Sequence, residues 1–223
     1  MTTRRLLLTS FLAILIAATA WAALGDIVSS FAAPDTAVRG LARSSNRLFL
    51  LTYGTPTTIY RLAPVTGSIF GSWSPTFGDY CRGLAYSQGN HLWVGSYEND
   101  VVYDCRPKNG SVYGSWDADG NAYGLAPFCT GDGGVGTTAI IASDSRPNSY
   151  CWLHDLSNGS VMSSFGLPHS SFFDIAWDHR NQLIWMGTTT GTIYGYSIDG
   201  SVVATFTSPD TYPYGMAYSS QYL

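Results

Sequence analysis

The tripeptide Gly-Leu-Ala stands at residues 40–42, 83–85 and 124–126, and looser copies follow at Asp174-Ile175-Ala176 and Gly215-Met216-Ala217. The copies are 43, 41, 50 and 41 residues apart. A second anchor, a small hydroxyl residue before an aromatic ring, runs Ser30-Phe31, Ser72-Trp73, Ser115-Trp116, Ser164-Phe165 and Thr205-Phe206, with steps of 42, 43, 49 and 41. Two anchors that drift together define a true period. A period of this length confines the chain to an architecture in which like units bury one another's faces.

Each period holds four strand-like runs, clearest in the second copy: Arg82–Ser87, His91–Tyr97, Asp100–Cys105 and Ser111–Trp116. The runs are rich in β-branched and aromatic residues and are separated by polar turns. Asn109-Gly110 and Asn158-Gly159 each divide a third run from a fourth, and Gly67 and Gly200 stand at the matching turns. Asn-Gly predicts a two-residue type I′ hairpin turn, which needs φ > 0 at both positions. Four strands per repeat predict an all-β fold: a β-propeller of four-stranded antiparallel blades, with five repeats and an incomplete last blade.

The chain opens on Arg4-Arg5, an apolar run from Leu6 to Thr19, and the small-residue pattern Ala20-Trp21-Ala22. This order predicts a signal peptide over residues 1–22, a propeller domain over 26–223, and a secreted, periplasmic or cell-surface protein with no membrane contact beyond the signal. Without Arg4 and Arg5 the 11 basic residues fall to nine against 15 acidic, a balance of −6. Lys108 is the single lysine. A nucleic-acid footprint needs clustered cations, so that class of partner is excluded. A hydrophobic share of 45% against 12% charged residues excludes a disordered chain.

The succession Gly-Leu-Ala, Leu-Trp-Val-Gly, Ile/Val-Tyr, Gly-Ser-Val, Ser-Trp/Phe resembles extracellular propellers of the NHL/YVTN and SMP-30/virginiamycin B lyase-like families. The resemblance covers nearly all of the chain after the signal and implies an architecture rather than an activity, since this fold carries enzymes and binding modules alike. The lactonases and lyases among those families use acidic residues, or His with Glu, near the axis. Glu98 is the single glutamate here. The chain begins its domain on a fourth-strand sequence, Asp26–Phe31, and ends within a second strand after Gly215-Met216-Ala217. That pattern reads as a fragment stopping inside a blade or as a five-bladed ring with one thin blade.

Four groups of residues are candidates for chemistry. Gly131–Gly136 fits G-x-G-x-x-G, but no helix follows to meet a phosphate, so it reads as an inserted loop. Asp117–Asn121 has the look of a calcium loop but lacks the glycine and glutamate at the positions such a loop needs; it reads as a polar connection, and no cofactor is expected, calcium being the alternative. Cys81, Cys105, Cys129 and Cys151 allow one or two disulfides, with three pairings if both form. Finally, the residues just before the Gly-Leu-Ala anchors are Arg39, Arg82, Tyr123, Phe173 and Tyr214. In a propeller they would ring the mouth of the central opening and suit a protein, peptide, carbohydrate or aromatic ligand. Sparse acids and unaligned histidines favour a non-enzymatic binding or assembly module, the alternative being a lyase or lactonase-like enzyme acting at the central opening.

Overall fold

A computed structural model of the protein describes residues 24–27, 29–118, 120, 122–128, 139–143, 150–169 and 171–219. The expected signal peptide, the glycine-rich loop and Cys129 lie outside the described residues. No helix occurs among the described residues.

The first sheet holds β1 (Val38–Arg43), β2 (Leu48–Thr52), β3 (Thr58–Leu62) and β4 (Ile69–Trp73). The second holds β5 (Cys81–Ser87), β6 (His91–Ser96), β7 (Val101–Cys105) and β8 (Val112–Asp117). The third holds β9 (Gly124–Phe128), β10 (Ala139–Ser143), β11 (Tyr150–Asp155) and β12 (Val161–Gly166). The fourth holds β13 (Phe172–Asp178), β14 (Leu183–Thr188), β15 (Thr192–Tyr196) and β16 (Val202–Thr207). Each sheet is an antiparallel meander in chain order, as the four runs per repeat predict.

The sheets meet through their first strands: β1 packs on β5, β5 on β9, β9 on β13, and β13 on β1. The second strands β2, β6 and β14 are buried beyond their first residue and read as apolar runs, such as Leu92-Trp93-Val94. Fourth strands lie outermost and expose Ile69, Phe70, Val112, Tyr113, Val161, Met162, Val202 and Val203. The gradient from core to rim explains why the inner anchor uses small and aliphatic residues while the outer one carries a large ring.

That outer ring has a fixed seat. A Cβ added to Gly110 would lie 2.3 Å from the Trp73 ring, and one added to Gly159 would lie 2.5 Å from Trp116. Phe31 covers Gly67 and Phe165 covers Gly200 in the same way. The last aromatic, Phe206, sits against Gly25 in the segment before the first sheet. Each of these glycines has positive φ, between 68° and 94°. The ring ending one repeat therefore packs on the bare turn of the next. The second period anchor is the sequence trace of this joint.

The turn itself differs from expectation. Asn109 and Asn158 do not have positive φ; among these pairs only the glycines do. Arg106 and Ser111 close a four-residue turn, with Gly110 N–H donating to the Arg106 carbonyl at 2.9 Å. The asparagine works through its side chain: Ser111 N–H donates to Asn109 Oδ1 at 3.3 Å, and Ser160 N–H to Asn158 Oδ1 at 2.8 Å. A single left-handed glycine after an asparagine acceptor suits a bulged hairpin, and the register does shift at Asp104/Cys105.

Candidate functional site

The first strands share one direction, so the residues flanking each Gly-Leu-Ala anchor fall at two opposite ends. At the leading ends stand Arg39, Arg82, Tyr123, Phe173 and Tyr214, and the structure joins them into one cluster. The central carbon of the Arg39 guanidinium lies 3.6 Å from the Tyr214 ring centroid, and Tyr214 meets Phe173 at 4.2 Å. The Arg82 guanidinium lies 4.3 Å from Tyr123, 4.5 Å from Tyr97 and 4.8 Å from Tyr53. Tyr53, at the end of β2, also faces Arg39 at 5.6 Å and thereby links the two arginines. Tyr97 sits at the matching place after β6. Period arguments missed both, since they follow second strands rather than preceding first ones.

Ring faces hold these cations in place of carboxylates. Each such contact contributes about 0.5–1 kcal/mol at a partly exposed site. Arg82 forms no ion pair and donates no hydrogen bond among the described residues, and its Nε is buried without an acceptor. Among the described residues its planar fork of donors thus meets ring faces and no acceptor. The Tyr97 and Tyr123 hydroxyls hydrogen-bond to each other, which raises the Tyr97 phenol above its usual value, while nearby Arg82 pulls in the opposite direction. The cluster thus sets a ring-held cation beside the Tyr97 and Tyr123 hydroxyls.

Beneath it the first strands draw together. A Cβ on Gly40 would fall 2.4 Å from the Arg82 carbonyl oxygen, and one on Gly215 would fall 2.8 Å from the Leu41 side chain. The fourth anchor breaks the pattern with Asp174, which is fully buried. Its carboxylate accepts the amides of Ile175 at 2.9 Å, Met216 at 2.9 Å and Leu41 at 3.3 Å. First strands have one edge without a ladder partner, and such inward N–H groups need an acceptor. Burial raises the Asp174 carboxyl well above the ordinary range, and these amides, with that of Leu125, oppose the rise. Asp174 is visible in the sequence as the one anchor whose first residue is not glycine, but its role depends on β1, β9 and the segment around Met216.

At the trailing ends the same strands diverge around a cavity of about 690 Å³. Arg43, Tyr86, Trp177, His179 and Tyr218 are among its lining residues.

The cysteines take no part in either end. Cys81, Cys105 and Cys151 are buried free thiols, so none of the pairings allowed by the sequence forms among them. Burial, with Asp79 alongside, pushes Cys81 up to about 12. Burial, with Asp104 and Cys81 nearby, pushes Cys105 up to about 12 as well. The histidines are also dispersed. His91 Nδ1 meets Asp104 at 2.8 Å near the outer face of the second sheet. Burial raises the Asp104 carboxyl, and His91 partly offsets this. His154 is buried against Trp116 and donates from Nδ1 to the Gly159 carbonyl at 2.8 Å, supporting a joint. Among the described residues no three His, Cys, Asp or Glu side chains gather as a metal would require. Asp119 and Asn121, from the loop weighed for calcium, lie outside them.

No family model matches the chain, and no curated protein is similar to it in sequence. Solved structures are similar in fold. Glutaminyl cyclase of Myxococcus xanthus superposes with a TM-score of 0.67 at 15% identity, over 84% of this chain and 83% of that one. Hydrazine synthase of Kuenenia stuttgartiensis gives a TM-score of 0.54 at 14% identity, over 82% of this chain and 53% of that one. The fold is therefore all-β and propeller-like. Kinship with the NHL/YVTN and SMP-30/virginiamycin B lyase-like families finds no support in a family match.

The expectation of a non-enzymatic binding or assembly module is overturned. The same architecture serves as glutaminyl cyclase, an enzyme, at nearly full length. The scarcity of glutamate and of aligned histidines excluded less than it first implied. Arginine and tyrosine can stabilise charge and move protons, and catalytic groups on a repeat scaffold need not recur from copy to copy.

Proposed function

We propose that the protein is a propeller enzyme of five sectors whose reaction centre is the arginine–tyrosine cluster at the leading ends of the first strands. Five sectors are supported by five aromatic-on-glycine joints, including Phe206 on Gly25, and by Gly215 lying against Leu41. The fifth sector draws its outer part from residues 24–31 and its inner part from residues 213–219. The one observation that carries the catalytic reading is the Arg82 guanidinium, held by Tyr53, Tyr97 and Tyr123 at the mouth with no acceptor for its donors among the described residues.

Such a cation, fixed before substrate arrives, stabilises negative charge that develops on a carbonyl oxygen. The hydrogen-bonded Tyr97 and Tyr123 hydroxyls supply a proton to a leaving group and can take one back. Likeness to glutaminyl cyclase makes ring closure of a glutaminyl peptide the first reaction to assay. There the amine nitrogen bonds to the carboxamide carbon, one amine proton is transferred to the departing nitrogen, and ammonia leaves. Lactones and uronic-acid oligosaccharides cover the hydrolase and lyase forms of the same reading.

The full chain should turn over one of these three substrate classes. Arg82→Lys, which keeps the charge but loses the fork, should lower kcat/KM by about 100-fold. Its melting temperature should stay within a few degrees of wild type. No turnover of any class, or an Arg82→Lys variant as active as wild type, would defeat the proposal.

A further inference from the structure

We infer that the cavity at the trailing ends is a second ligand site, for a small organic anion with a flat body. Its volume of about 690 Å³ is that of a small-molecule chamber. Arg43 projects into it and makes no ion pair, hydrogen bond or cation–π contact among the described residues. Among the described residues no aspartate or glutamate lines the chamber, although the chain carries a net charge of −4. Among these lining residues the sign of the charge is inverted, and a guanidinium in such a recess selects a carboxylate. Tyr86, Trp177 and Tyr218 provide aromatic walls, which favour a planar partner. Ser44 and Ser45 add hydroxyls beside Arg43.

This chamber is separate from the proposed reaction centre. The glycine waist and the buried Asp174 carboxylate stand between them, and the waist does not accept even a Cβ at Gly40. A ligand seated at Arg43 cannot be the same molecule that meets Arg82. The site does not rest on the activity proposed above.

Calorimetric titration of the full chain with benzoate and indole-3-acetate, against benzamide and indole-3-acetamide, tests the inference. The carboxylates should bind about tenfold more tightly than their amides. Arg43→Gln should remove that preference while Arg82→Gln leaves it intact, and both variants should melt as folded proteins. Trp177→Phe should abolish the fluorescence change on indole-3-acetate binding. Equal affinity for acid and amide, or no binding of either acid at about 10 mM, overturns the site. So does a preference that survives Arg43→Gln and is lost in Arg82→Gln, since that would seat the ligand at the opposite end.

Discussion

The two ends of the first strands are built from the same four strands, with the Gly215–Ala217 segment beside them, yet differ in kind. Before the anchor, Arg39 and Arg82 are clasped by Tyr53, Tyr97, Tyr123 and Tyr214, and the cluster is dense. After it, Arg43 stands in a hollow with aromatic walls set apart. Three residues separate Arg39 from Arg43 on one strand, so strand geometry alone does not decide which end fills. The difference comes from what the neighbouring segments bring. Second strands end in Tyr53 and Tyr97 at the dense end, whereas the hollow end is bordered by small turns such as Ser44-Ser45 and Gln88-Gly89.

The comparison can be broken hardest at the waist between the ends. Gly40→Ala drives a methyl into the Arg82 carbonyl and should disturb both ends together. A cost of about 3 kcal/mol, or roughly 10 °C in melting temperature, is expected. Gly114→Ala is the control, since nothing lies near its added Cβ, and it should stay within about 0.5 kcal/mol of wild type. Calorimetry or a circular-dichroism melt distinguishes the two.

Asp174 offers a graded cut. Asp174→Ala leaves the amides of Leu41, Ile175 and Met216 without their acceptor and should cost about 2–4 kcal/mol. Asp174→Asn keeps a carbonyl oxygen in place and should cost about 1 kcal/mol. If both variants melt like wild type, the waist is held by packing alone.

A smaller effect isolates the dense end. Tyr97→Phe removes one hydroxyl of the Tyr97–Tyr123 pair and should lower stability by about 1 kcal/mol. Ligand binding at Arg43 should be unchanged. The smallest effect is chemical: Cys81, Cys105 and Cys151 should resist iodoacetamide at pH 8 in the folded chain and react on unfolding. A thiol held near 12 is only about one part in ten thousand thiolate at that pH.

Much of the scaffold was legible because repetition amplifies weak signals. A single run such as Arg82–Ser87 is ambiguous; five copies at a steady spacing are not, and β5 indeed spans Cys81–Ser87. The arginine and aromatic residues before each anchor were also readable, because a repeat position maps to a fixed place on the scaffold. Tyr53, Tyr97 and Arg43 were not singled out. What distinguishes them is the gap or contact made by a neighbouring sheet, and sequence spacing carries no trace of that. Asn109-Gly110 misled about turn type because one dipeptide serves two turns: asparagine can adopt positive φ, or accept a hydrogen bond through its side chain and leave positive φ to the glycine. The non-catalytic reading failed for another reason. It asked for acids shared between copies, whereas catalytic groups on a repeat scaffold need not recur from copy to copy.

The aromatic-on-glycine joint has a consequence for how such a molecule could be rearranged. It runs head to tail, from the rim of one unit to the turn of the next, so each unit carries both halves of the same connector. No unit is privileged as first. A cut between two units, as between β4 and β5, leaves every plug and every socket whole. Duplicating a unit would likewise supply matching connectors at no design cost, leaving only the circumference to be renegotiated.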